Sequence, residues 1–223
     1  MSKSFPNLIL YWDEFWTSIL ETLSMMAFSG IFVLALGLLF GVILTITRKG
    51  GLKENRSIYE VLDKLINIFR SIPFVIFSSA LIPLTRAVVG TPLGVKGAII
   101  PLVLASSPFF ARQVDLSLSE IDEGLIEAAL SMGDSTKDII FKVYLREGLA
   151  SIIQGFAITI ISLFGLTTIS GTLGAGGLGA FVQRYGHAQR MGDITIASLI
   201  VIILFVSFIQ GLAKLSVKLL RHS

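Results

Sequence analysis

Three groups of residues in this chain invite a chemical reading. Gly174-x-Gly176-x-x-Gly179 matches the glycine spacing of a dinucleotide-binding turn. That chemistry needs a strand before the turn, a helix after it in a βαβ unit, and an acidic residue about 20 positions on to hold a ribose. The surrounding sequence supplies none of these. The glycines read instead as a tight re-entrant turn that exploits positive φ and close backbone packing. Asp122, Glu123 and Glu127 cluster as acid–base carboxylates do, but they lie in a polar segment without a pocket and read as a solvated face. His187 and His222 have no ligand-type partners at useful spacing, and the chain has no cysteine. No metal site, disulfide or thiol nucleophile is therefore expected. A Walker A pattern is also missing, so no catalytic residue and no nucleotide cofactor are expected on this chain.

The elements that carry these residues are set by composition. Of 223 residues, 53% are hydrophobic and 15% charged, and the mean hydropathy is +0.83. A soluble domain carries about 25% charged residues. A soluble chain of this size cannot hide so much apolar surface, which excludes a soluble enzyme, a disordered tail and a nucleic-acid module.

Charge-free runs cover Thr22–Thr47, Ser71–Thr85, Gly97–Ala111, Gly148–Gln183 and Ile194–Ala213. A spanning helix needs about 20 mainly apolar residues. The long run breaks at Gly171–Gly179. The short run at Ser71 is extended backwards by the stripe Ile58, Val61, Leu62, Leu65, Ile66 and Phe69, the i, i+3, i+4, i+7 spacing of an amphipathic helix. The expectation is an all-α integral membrane protein, one domain over 1–223. Its five spans lie at about 20–47, 58–81, 95–111, 149–171 and 194–214. Pro73 is expected to kink the second span and Pro101 the third, near a path lined by small polar residues. No charged residue falls deep in any span, which argues against ion coupling. Gly37-x3-Gly41 permits close approach of another helix, within the subunit or between subunits. Tyr11, Trp12 and Trp16 read as an interfacial aromatic belt rather than part of a signal peptide. With only a short tail after the last span, no regulatory domain is expected there.

Orientation follows from the basic residues. With the N-terminus outside and the C-terminus inside, 13 of the 18 lysines and arginines fall on the inside, leaving Lys3, Arg86, Lys96, Arg184 and Arg190 outside. The net charge of +3 is thus a topology signal, and no nucleic-acid partner is implied. The longest inside segment, 112–147, has Ile121, Leu125, Ala128, Ala129 and Met132 at helical spacing, then Gly133 as a stop. Ser135 with Asp138 three residues on is a capping-box arrangement that starts a second helix. Two short helices joined by a glycine turn make a rigid knob suited to docking another protein.

Here the sequence resembles a known family. Glu127-Ala128-Ala129-x3-Gly133-x9-Val143-x-Leu145 resembles the EAA loop of binding-protein-dependent ABC importer permeases. The resemblance implies a type I importer-like permease fold in which Glu127, Ala128, Ala129, Met132, Gly133 and Leu145 form a coupling helix docked on a cytoplasmic ATPase. Arg146 stands where the family has a proline, so the approach to the fourth span is expected to be straighter.

Other stretches resemble the methionine-type branch: Arg70–Phe74, Ile82–Arg86 with Val89-Gly90-Thr91, Pro108–Arg112, Gly171–Gly179 and Arg184-Tyr185-Gly186. Family members follow Tyr-Gly with Tyr-Gln-Arg, whereas His187-Ala188-Gln189-Arg190 stands here, one residue longer. The resemblance places Arg184, Tyr185, Gly186, Gln189 and Arg190 on the side of an extracellular substrate-binding (lipo)protein. It implies a cell-membrane permease of an ATP-driven importer for methionine or another small amino acid. ATP and magnesium would be bound by two partner ATPase subunits. Five helices are too few to enclose a path, so a second copy of the chain is expected as partner, in membrane lipid. Alternatives are an ion-coupled secondary carrier and a structural membrane protein.

Overall fold

The structure, a computed structural model, describes residues 5–220. Lys3, Arg221 and His222, used in the reading above, lie outside the described residues. The described chain is helical, with no strand: α1 (Pro6–Leu10), α2 (Trp12–Thr47), α3 (Arg56–Ser71), α4 (Phe74–Ala80), α5 (Ile82–Val89), α6 (Gly94–Ser119), α7 (Glu123–Ser131), α8 (Thr136–Asp138), α9 (Leu145–Glu147), α10 (Leu149–Ser170), α11 (Gly177–Phe181) and α12 (Gly192–Leu220). Wide turns with i→i+5 bonding cover Ile139–Tyr144, Gly171–Ala175 and Val182–His187. Four helices are long and apolar enough to cross a membrane: α2, α6, α10 with its wide turn to Ala175, and α12.

Two expectations need correction. The second span does not run as one kinked helix over 58–81. Pro73 stands in extended backbone (φ −57°, ψ 130°) between α3 and α4, and a turn at Leu81, ahead of Pro83, separates α4 from α5. Proline disfavours helical backbone at the residue before it and has no N–H for the helical ladder. The third span does not stop at 111. Helix α6 carries on to Ser119, taking Arg112 and Asp115 out of the expected inside loop and into the helix. Pro101 lies within that helix and does not end it.

The chain forms two compact units. The first comprises the segment ending at Phe32, Ile72–Ala105 and Ile160–Gly211. One core joins Phe15, Ile19 and Met26 of α2 to Phe164 of α10, Leu178 and Phe181 of α11, Tyr185, and Ile194 and Ala197 of α12. A second joins Met25, Ala98, Leu102, Leu163 and Ala175. Tyr11, expected in an interfacial belt, stacks on Tyr185 with ring centroids 4.2 Å apart, while Trp12 and Trp16 are exposed. The Asp193 carboxylate ties α12 to the start of the chain, accepting from Asn7 N (2.9 Å) and Asn7 Nδ2 (3.0 Å).

The second unit comprises Val33–Ser71, Ser106–Thr159 and the segment from Leu212. Gly37 and Gly41 seat α6 directly: a Cβ on either would lie 2.5 Å from Phe110 or Val114. The glycine pair therefore serves packing within the subunit. Arg112 is held by Asp63 of α3 and by Asp115 at 3.0 Å, and Thr45 Oγ1 donates to Asp115 Oδ1 at 3.1 Å. These partners explain how the helix can continue through a half-buried arginine.

Candidate functional site

The knob expected from the sequence lies in the second unit. Asp122 caps α7, its side chain accepting from Gly124 N at 2.7 Å. The helix ends in a Schellman arrangement: Gly133 N bonds Leu130 O, Asp134 N bonds Ala129 O, and Gly133 takes φ +85°. Ser135 then caps α8, accepting from Asp138 N at 3.2 Å. Lys142 bonds the Asp138 carboxyl at 2.7 Å and, with Ser135, holds it down at about 2. Both ends of the turn are thus fixed by local hydrogen bonds.

The expected docking residues divide into two groups. Ala129 is buried in a core with Phe110, Val114, Leu118, Ile139 and Tyr144, and Leu145 packs against that core. They anchor the knob. Burial also raises the Tyr144 phenol above its ordinary value. Glu127, Ala128, Met132 and Gly133 are exposed, Met132 at 77%, together with Leu125, Leu130 and Phe141. An apolar face of this kind on a polar segment is what a partner surface needs. Arg146 is exposed, and the chain reaches α10 through the i→i+5 segment Ile139–Tyr144, the short α9 and Gly148.

The residues expected outside divide in the same way. Tyr185 is buried, and its phenol donates to Glu14 Oε2 at 2.7 Å; Arg184 pairs with Glu14 Oε1 at 2.7 Å. The bond to Glu14 raises the Tyr185 phenol above its ordinary value. Gly186 approaches Thr195 so closely that a Cβ would lie 2.4 Å from Oγ1. Gln189 and Arg190 are exposed, and Arg190 takes φ +57°. Of the five residues expected there, Arg184, Gln189 and Arg190 are exposed.

The glycine segment is a turn, as expected, but the sequence reading missed what holds it. Glu21 of α2 accepts from Gly177 N at 2.6 Å, and Thr22 Oγ1 accepts from Leu178 N at 2.9 Å. Gly176 (φ +85°) and Gly177 (φ +75°) leave room for both side chains. The available signal was a Glu-Thr pair at the edge of a charge-free run. Most hydroxyls considered for a path bond local carbonyls: Ser78 and Ser79 donate to Val75 O, Thr159 to Gly155 O, Thr167 and Thr168 to Phe164 O. Pro73 is exposed at the break before α4, whereas Pro101 is buried and lines a cavity of about 140 Å³ in the first unit. Among the described residues no cluster of three or more His, Cys, Asp and Glu has metal-site geometry.

Comparison with known proteins places these features in a family. Residues 35–222 match the family described as the binding-protein-dependent transport system inner membrane component. The methionine import system permease protein MetP of Bacillus subtilis is 40% identical over 213 residues, 96% of this chain and 95% of that protein. The probable D-methionine transport system permease protein MetI of Pasteurella multocida is 41% identical, over 90% and 93%. A chain of the inward-facing MetNI methionine ABC transporter superposes with a TM-score of 0.90 at 38% identity, covering 96% of this chain and 98% of that one.

Proposed function

Because the chain belongs to the inner-membrane components of binding-protein-dependent transport systems, a family of multi-pass cell-membrane proteins, we propose that it is the permease subunit of an ATP-driven methionine importer. The observation that carries the docking half of this reading is the exposed Glu127–Gly133 turn, anchored by Ala129 and fixed in angle by its two caps. A rigid projection with an apolar exposed face transmits a partner's movement into α6 and α10 better than a loose loop does. The chain supplies no catalytic group. ATP with magnesium is bound and hydrolysed on two cytoplasmic ATPase subunits, each docked on one knob.

In this reading two copies of the chain enclose the path, with five crossings per copy. The N-terminus is outside, the C-terminus is inside, and α3–α5 together supply the second crossing. An extracellular binding protein delivers methionine to the face that carries Arg184, Gln189 and Arg190. Tyr185 and Gly186 support that face from beneath.

The test is uptake of labelled L-methionine at low concentration in cells with and without the gene, before and after ATP depletion, alongside Glu127→Arg and Gly133→Arg. Gene-dependent uptake that stops on ATP depletion, and loss of ATPase co-purification in both variants with membrane insertion intact, is the expected outcome. Uptake that survives ATP depletion and collapses with an ionophore refutes the reading in favour of an ion-coupled carrier. Unchanged uptake in both variants refutes the docking assignment.

A further inference from the structure

The first unit holds a cavity of about 140 Å³ whose lining has a definite chemistry. Its floor is made of small or buried residues: Ala98 and Pro101 of α6, Thr85 of α5, Ser170 of α10 and Ala175. Its mouth is open at exposed Leu93 and Leu173. No charged side chain lines it. Thr85 is only 2% exposed, and its hydroxyl has no hydrogen-bond partner among the described residues. Ser78 and Ser79, also at the wall, already donate to Val75 O. Thr85 is thus a free donor at the bottom of an apolar hollow. Leaving such a group unsatisfied costs free energy, so it is ordinarily removed unless something visits it.

Size and polarity narrow the visitor. A dry apolar cavity of about 150 Å³ is large enough to take benzene. This cavity therefore admits a chain of four heavy atoms. Lacking any charge, it cannot compensate an ammonium or a carboxylate. It suits an unbranched, polarizable side chain with one weak acceptor, and a thioether sulfur is such an acceptor.

We propose that this cavity is a transit subsite for the side chain of the translocated amino acid, with Thr85 Oγ1–H donating to the thioether sulfur and the zwitterionic head left at the mouth. This rests on the methionine reading above and specifies where in the chain the side chain is read. A subsite of apolar contacts and one weak hydrogen bond holds its ligand loosely, as a site on a path must.

The complete transporter, with its ATPase and binding protein, is reconstituted in liposomes, and trapped labelled L-methionine is measured per ATP hydrolysed. Ala98→Leu fills the floor and is expected to lower this ratio roughly tenfold, the scale on which hydrophobic pockets discriminate by a methylene or more. Thr85→Val keeps the shape and removes the donor, and is expected to lower it about threefold, the worth of one modest hydrogen bond. A void with only a structural role predicts the opposite for Thr85→Val, a more heat-stable protein with an unchanged ratio. If Ala98→Leu does not assemble, the near-isosteric Thr85→Val decides alone. An unchanged ratio in variants of a transporter whose wild type carries methionine overturns this subsite and leaves the importer reading intact. Wild-type liposomes that take up no methionine overturn both.

Discussion

Gly179→Ala isolates the closest backbone approach in the first unit. A Cβ on Gly179 would lie 2.0 Å from Thr168 O, 2.7 Å from Thr168 C and 2.8 Å from Thr168 Cα. All three are backbone atoms of α10, so no side-chain rotation relieves the overlap. Helix α11 must retreat by about 1 Å or more before even a compressed contact is reached. That retreat carries Gly177 N and Leu178 N away from Glu21 and Thr22, and lifts Leu178 and Phe181 from the core they share with Phe15 and Phe164. Overpacking costs about 1–3 kcal/mol. Loss of a charge-assisted hydrogen bond adds about 1.5 kcal/mol or more. A total near 3 kcal/mol lowers the midpoint of thermal unfolding by about 6–12 °C for a chain of this length. The assay is thermal unfolding of the purified protein in detergent, followed by loss of its monodisperse peak. Gly211→Ala is the control, because a Cβ there meets nothing within 4 Å. It should leave the midpoint within a few degrees of wild type. A Gly179→Ala protein as stable as Gly211→Ala would refute the contact between α10 and α11.

Three other outcomes follow from charges described above. Arg112→Ala strands the buried Asp115 and the half-buried Asp63 and should cost about 2 kcal/mol by the same assay, while adding Asp115→Asn should recover part of it. The Tyr185 phenol, raised first by its bond to Glu14, favours the fold while neutral. That contribution is complete below the ordinary tyrosine value near 10 and fades as pH rises through the folded one. Phenolate absorbance should therefore show Tyr185 ionising late relative to a free tyrosine, and a Glu14→Gln protein should show it ionising earlier than in wild type. Asp138, held at about 2 by Lys142 and then Ser135, stabilises the knob at neutral pH and loses that effect as pH falls from near 4 towards 2. The stability gap between wild type and Asp138→Asn should thus be constant from pH 7 to 5 and close at lower pH.

What could be read in the sequence is what lipid and local geometry dictate. Runs without charge gave α2, α10 and α12, because a hydrocarbon environment tolerates little else. Gly133 and Ser135 were legible because caps depend on neighbours only a few residues away. The far end of α6 was not legible. A reading by charge stops at Arg112, and one of the two residues that neutralise it, Asp63, lies 49 positions earlier. The break at Pro73 was read as a kink because proline allows both, and the choice depends on what packs around it. The residues of the expected docking set looked alike in sequence. Burial separates them: Ala129 and Leu145 anchor the knob, while Glu127 and Met132 face outward. The Glu21 and Thr22 contacts span 156 residues; the Glu-Thr pair at the edge of a charge-free run marks one side of them, and nothing nearby in sequence names the glycine turn as its partner.

The wide turn over Val182–His187 bears on how this chain tolerates change in length. An i→i+5 turn takes up one more residue than an ordinary helical turn, and here Ala188 N closes on Gln183 O. The extra residue of His187-Ala188-Gln189-Arg190 falls at the end of that turn. Arg184 and Tyr185, inside the turn, hold Glu14. Residues 188–191 lie outside any helix, so a change of length confined to them need not rotate α11 or α12. This stretch can therefore change in length and chemistry at little cost to the helices it joins.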